Sequence, residues 1–231
     1  MQAQGLPSQL GVRPAPELTN RLLIQSFGWM FAAVLITAII AVPVVLSESF
    51  LETAMRYWLL ITLGTFAFGI GVQLAIPRVS AIVGLALFFL YAMSLGVVVG
   101  VVSSLYTVQS VVTSFFGAAA MFGGAAIYGA VTKRSLAGLG GILFMGVIGI
   151  LAASILNIFL ASDGLSWIIS IVGVVIFTAL TAYDVQRIQN GDLAIQTGSM
   201  EKAAVIGALH LYLDFVNLFL FMLRLFGGGR D

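Results

Sequence analysis

Asp214 is the residue in this sequence that most needs a chemical explanation. It lies about halfway along HLYLDFVNLF, with apolar residues on either side. A charged side chain at that depth in a bilayer costs roughly 2.5–3.5 kcal/mol on insertion scales, so it carries a functional reading by default. Asp184, in TAYDVQRI, is the second such carboxylate. His210, Asp214 and Asn217 follow i, i+4, i+7 spacing, and Arg224 continues the stripe, so the four share one face of a helix. That face cannot be turned to lipid. The helix is expected inside a bundle, lining or plugging a polar pathway. Thr181, Asp184 and Arg187 align at i, i+3, i+6 and give a neighbouring helix a polar face near its end.

Two carboxylates from neighbouring helices facing one cavity make a proton-sensitive element, because like charges in a low dielectric cannot both ionise cheaply. Their oxygens also suit a hard cation such as Ca2+ in transit. Arg78, at the end of the second apolar stretch, is the natural counter-charge for Asp184. Each residue has a structural alternative. Asp184 could pair with Arg187 within its own helix, Asp214 could be a buried structural acid, and His210 could be a packing histidine. Asn157 and Asn217 read as interhelical hydrogen-bond donors. A lone histidine and no cysteine leave no zinc site, disulfide or thiol nucleophile. No HExxH motif or Ser–His dyad is present within the apolar stretches, so neither covalent chemistry nor a cofactor is expected.

The elements that must hold these residues are membrane helices. Of 231 residues, 61% are apolar and 8% charged, and the mean hydropathy is +1.13, far from soluble composition. The net charge of +1, with scattered Lys and Arg, excludes nucleic acid as a partner. A span needs about 20 apolar residues, and only helices satisfy their own backbone in lipid. Seven stretches qualify: 23–46, 58–76, 81–102, 111–131, 139–160, 167–185 and 203–226. The fold class is therefore all-α and polytopic. Residues 1–22 are expected to form a flexible cytoplasmic arm and 23–227 one transmembrane domain. The breaks SESFLETAMR, PRVS, SSLYTVQS, TKRS, ASDG and RIQNGDLAIQTGSMEK are polar or turn-forming. Arg13, Arg21, Arg78, Lys133, Arg134, Arg187 and Lys202 fall on the N-terminal side, against Arg56, Arg224 and Arg230 opposite. Short cytoplasmic loops are enriched in Lys and Arg, which places the N-terminus inside and the C-terminus outside. Glycines such as Gly96, Gly100, Gly140 and Gly146 are expected where helices approach closely.

TAYDVQRI, the polar loop after it and LYLDFVNLFLFMLRLFG resemble the last two helices of the Bax inhibitor-1 family, also called the transmembrane Bax inhibitor motif family. KRSLAGLGGILFMGVIG and the following NIF resemble its fifth helix and preceding loop. The resemblance runs from about Arg78 onward. It implies seven helices with the seventh central, and a pH-sensitive calcium leak channel in a bacterial plasma (inner) membrane. The pH-sensor pair would be Asp184 and Asp214, which would also be the transient Ca2+ ligands, and Arg78 would be the latch. His210 stands where many members carry a smaller polar residue. The second span lacks the acid that some bacterial relatives carry there. The rival function, also taken from relatives, is an interaction protein restraining a membrane protease or stress-response partner, for which the N-terminal arm is the natural contact.

Overall fold

The computed structural model describes residues 15–227, and among these every regular element is helical. In chain order they are α1 (Pro16–Leu46), α2 (Glu48–Arg56), α3 (Trp58–Ala75), α4 (Ala81–Ser104), α5 (Val108–Val131), α6 (Gly140–Leu160), α7 (Asp163–Gln189), α8 (Asp192–Thr197) and α9 (Met200–Phe226). Short 3-10 turns, Ile76–Arg78 and Ala137–Leu139, follow α3 and precede α6. Among the described residues seven helices are long and apolar enough to cross a membrane, as the sequence predicts: α1, α3, α4, α5, α6, α7 and α9.

Three boundaries differ from expectation. The first helix begins at Pro16, so 16–22, assigned to a flexible arm, are helical; residues 1–14 of that arm lie outside the described residues. Proline at the first helical position has no N–H to lose and a preset φ, Glu17 suits the first turn, and Thr19 and Leu22 are buried. The break SESFLETAMR is itself a helix, α2, whose Ala54 joins Val44 and Val101 in a small apolar cluster. The sixth span runs on to Gln189, so Asp184 lies more than a turn from its end, and the loop beyond carries α8 between two left-handed glycines, Gly191 and Gly198.

The helices pack into two compact units. One holds the chain up to Leu105 together with Arg187–Tyr212, the other Tyr106–Gln186 together with the chain from Leu213 onward. The boundary falls inside α9, which serves both. It is also the most buried span, 67% against 6–39% for the others, the burial expected of the seventh helix. In the first unit α1 lies along α4, and Gly96 and Gly100 permit the contact: a Cβ there would stand 2.9 Å from the Thr37 carbonyl and 3.0 Å from that of Ala41. In the second unit Gly129 of α5 meets α7 so closely that a Cβ would collide with the Ala182 carbonyl oxygen. Phe115 and Phe122 of α5 meet Phe215 of α9 edge to face, with ring centroids 5.6 and 5.7 Å apart.

Candidate functional site

Both carboxylates singled out from the sequence belong to the second unit. Asp214 stands midway along α9, 4% exposed, and Asp184 on α7 is 8% exposed. They are close enough for the charge of Asp184 to act on Asp214. Among the described residues no group of three or more His, Asp or Glu is placed to hold a metal. A Ca2+ ion takes about 6–8 oxygen ligands, so this pair could attract a passing cation but not store one.

Thr181, one turn before Asp184, is fully buried and is a hydrogen-bond partner of Asp214. Its hydroxyl also donates to the Phe177 carbonyl at 2.8 Å. A hydroxyl carries one proton and accepts through its lone pairs. With Asp214 protonated, Asp214 can donate to Thr181 while Thr181 donates to Phe177. With Asp214 ionised, Thr181 must turn its proton from Phe177 to the carboxylate. The second carboxylate oxygen, Oδ2, is buried without a hydrogen-bond partner.

Neighbours fix the end of α7 that carries Asp184. The buried Gln186 amide accepts from Leu136 N at 2.7 Å and donates to Arg134 O at 2.8 Å, tying down the loop between α5 and α6. Leu136 is buried with Ala125 and Ala182, and Tyr183 packs on them. The sequence reading passed over Gln186. A glutamine two residues after a membrane carboxylate, followed by Arg187, reads as interface, and only the partner loop reveals its role.

The other expected site residues are placed as follows. Asn217 is half-buried and donates to Leu213 O at 2.8 Å within α9, a correction to the interhelical bond expected of it. The i−4 carbonyl lies within reach of an asparagine facing its own preceding turn. Asn157 does bridge helices: its amide donates to Ser166 Oγ at 2.6 Å and accepts from Ser162 N at 3.1 Å, closing the α6–α7 turn. His210 is half-buried, and Arg224, at the end of the same stripe, is exposed. Arg187 donates to Gln196 of α8 at 2.7 Å. Arg78 is exposed at the end of its 3-10 turn, and its guanidinium donates to the Leu74 carbonyl.

Comparison with known proteins finds relatives over most of the chain. The family model described as Inhibitor of apoptosis-promoting Bax1 matches residues 19–231. The chain is similar to the inner membrane protein YbhL of Escherichia coli K12, 38% identical over 214 residues that cover 90% of this chain and 92% of the relative. It is 37% identical over 220 residues to an uncharacterized protein of Borreliella burgdorferi, covering 93% and 94%. It is 34% identical over 220 residues to the uncharacterized protein YrjE of Lactococcus lactis, covering 92% and 94%. The chain belongs to the Bax inhibitor-1 family.

Proposed function

We propose that the protein is a proton-sensitive cation leak of the bacterial inner membrane, with Ca2+ the expected permeant ion and no covalent chemistry. One observation carries the reading: two carboxylates, Asp184 and Asp214, are buried in one packing unit of membrane helices, and one Asp214 oxygen has no hydrogen-bond partner. A buried acid pair has little value as a stabilising element. It has value where its charge must change. The location follows the name of the Escherichia coli relative, and the leak follows the family resemblance.

In this reading the ionised pair holds the pathway shut at alkaline pH, with Arg78 as the counter-charge. Protonation of the pair releases it. Full neutralisation removes the negative site that attracts a divalent cation, so flux falls again in strong acid. The test is Ca2+ flux into proteoliposomes as pH is lowered from about 8 to about 5, a range that spans titration of a coupled pair. Flux is expected to start low and rise on mild acidification. In the double variant Asp184→Asn with Asp214→Asn the pH response is expected to vanish. A double variant that keeps the parent profile overturns the reading.

A further inference from the structure

Two cations of the first unit meet at the end of α3, and neither is matched by an acid. Lys202, in the first turn of α9, donates from its ammonium to the Pro77 carbonyl at 3.3 Å. Arg78, the next residue along the 3-10 turn that follows α3, donates from its guanidinium to the Leu74 carbonyl. A carbonyl oxygen lies about 2.8 Å from the Cα of the following residue, so the Lys202 ammonium is within about 6 Å of the Arg78 Cα. Among the described residues neither side chain has an ion pair. Glu201 is exposed and stands about 100° round α9 from Lys202.

The backbone that carries the two cations is fixed from below. Ile76 is fully buried, and its Cγ2 fills the space beside Gly84 of α4, 3.2 Å from where a Cβ would stand. The Ser80 hydroxyl caps α4 by accepting from Val83 N at 3.4 Å. Ala203 and Ala204 are buried next to Lys202, and Ser26 of α1 donates to the Ala204 carbonyl at 3.2 Å. Capping of the α3 carbonyls accounts for part of the arrangement, since cations suit a helix C-terminus. It does not account for the charge. A helix C-terminus offers about half a negative charge, and two full cations exceed it. Each backbone carbonyl also takes only one donor, so most of the N–H groups of the ammonium and the guanidinium are left for another acceptor.

Both cations stand where spans end: α3 and its turn finish at Arg78, α4 begins at Ala81 and α9 at Met200. Leu74, Ile82 and Val83 beside them are exposed apolar side chains suited to hydrocarbon. Lys202 is half-buried, its stem packed while its head reaches the turn. A group that fits must bring negative charge and several acceptor oxygens at headgroup level, above acyl chains. We propose that Lys202 and Arg78 form a binding site for the phosphate of an anionic membrane phospholipid. The distribution of Lys and Arg makes this the expected cytoplasmic end, the leaflet whose anionic lipids attract basic side chains. The site concerns lipid retention within the first unit and does not rest on the leak reading.

The test is native mass spectrometry of the full chain in detergent, titrated with phosphatidylglycerol or with phosphatidylcholine of the same acyl chains. The parent is expected to retain phosphatidylglycerol in preference. Lys202→Gln and Arg78→Gln are each expected to weaken that retention roughly fivefold, and the two together by less than the product of the single effects, because they share one phosphate. Lys202→Arg is expected to keep it, and Arg56→Gln, remote in sequence and exposed at the end of α2, to leave it unchanged. Inorganic phosphate in large excess is expected not to displace the lipid, since it lacks the chains that lie on Leu74, Ile82 and Val83; displacement by phosphate overturns the lipid assignment. Thermal unfolding is the second readout: phosphatidylglycerol is expected to raise the midpoint of the parent more than that of Lys202→Gln. Equal retention of the two lipids by the parent, or equal retention of phosphatidylglycerol by the parent and both glutamine variants, overturns the proposal.

Discussion

Asp184 and Asp214 are both buried acids, yet their surroundings assign them different parts. Asp214 has a hydroxyl on one oxygen and no hydrogen-bond partner on the other, so in the proposed leak its charge is the one expected to meet a cation. Asp184 stands on the segment of α7 held by Gln186 and Gly129, so its charge is the better anchored of the two. Asp184→Asn is expected to raise Ca2+ flux at alkaline pH, because the closing attraction is gone, and Arg78→Gln is expected to act in the same direction. Asp214→Asn is expected to lower flux at the optimum about tenfold, the equivalent of roughly 1.4 kcal/mol in cation attraction. Proteoliposome flux at two pH values checks all three. Thr181→Val removes the donor that must turn toward an ionised Asp214 while keeping volume. It is expected to shift the pH of half-maximal flux more than it changes maximal flux, and an unshifted midpoint would remove Thr181 from the site. The carboxylates and Thr181 were legible in the sequence because charge in an apolar run is conspicuous and helical spacing puts Thr181 on the face of Asp184. Gln186 was not, because a neutral polar residue costs little on a hydropathy scale and its meaning lies in a partner 50 or more residues away.

At the level of helices, the second unit is held together by backbone approach at one end of α7. Gly129→Ala would drive a methyl into a backbone oxygen, whereas Gly146→Ala would meet the tip of Ile176, 2.7 Å away. Backbone cannot step aside without separating α5 from α7, but an isoleucine δ-methyl can change rotamer. Gly129→Ala is therefore expected to cost several kcal/mol, and Gly146→Ala under about 1.5 kcal/mol. Thermal unfolding in detergent separates them, and equal midpoints would contradict the assigned contact. Gln186→Leu removes both bonds to the α5–α6 loop, leaving Leu136 N and Arg134 O to find other partners, at a cost of about 1–3 kcal/mol. Protease cleavage after Lys133 or Arg134 is expected to accelerate in that variant, since both lie on the loop it frees. The sequence located seven spans because each needs a long apolar run, and that requirement is independent of packing. It missed α2 and α8, since short helices at a membrane surface carry no such run and are stabilised by the few buried residues they share with neighbours, Ala54 in one and Leu193 and Ala194 in the other. It also located some close contacts and overread others. Gly96, Gly100, Gly140 and Gly146 are tight, while Gly123, Gly124, Gly138, Gly141 and Gly149 have open space where a Cβ would be. Glycine spacing alone does not say which side of a helix has a neighbour.

For the whole molecule, the sidedness of the bilayer is the property that gives a proton-sensitive leak a direction. Seven helices able to span a membrane are expected to leave the N-terminal side of the first and the C-terminal side of the last on opposite faces. The Lys and Arg of the short connections then choose the orientation, through the excess found in cytoplasmic loops. If the seven helices all cross, Arg21 in the first turns of α1, Arg78 after α3, Lys133 and Arg134 between α5 and α6, Arg187 in the last turn of α7 and Lys202 at the start of α9 are expected on one side, and Arg56 at the end of α2 and Arg224 at the end of α9 on the other. In this orientation the end of α7 with Gln186 and the tied α5–α6 loop is expected to face the cytoplasm, with Asp184 expected nearer the cytoplasmic surface than Asp214. A cytoplasm-active reporter fused after Lys133 is expected to be active. The same reporter fused after residue 231 is expected to be silent, and a periplasm-active reporter there active. The charge rule makes a further demand. Replacing Lys133 and Arg134 by glutamine lowers the bias without touching a span, so it is expected to leave the fusion at residue 231 outside while raising the inverted fraction. Moving two lysines into the α1–α2 connection as well is expected to raise that fraction further. An active cytoplasmic reporter at residue 231 in the parent chain would mean that one of the seven helices does not cross, and α3, the shortest at 18 residues before its 3-10 turn, would be the one to test first.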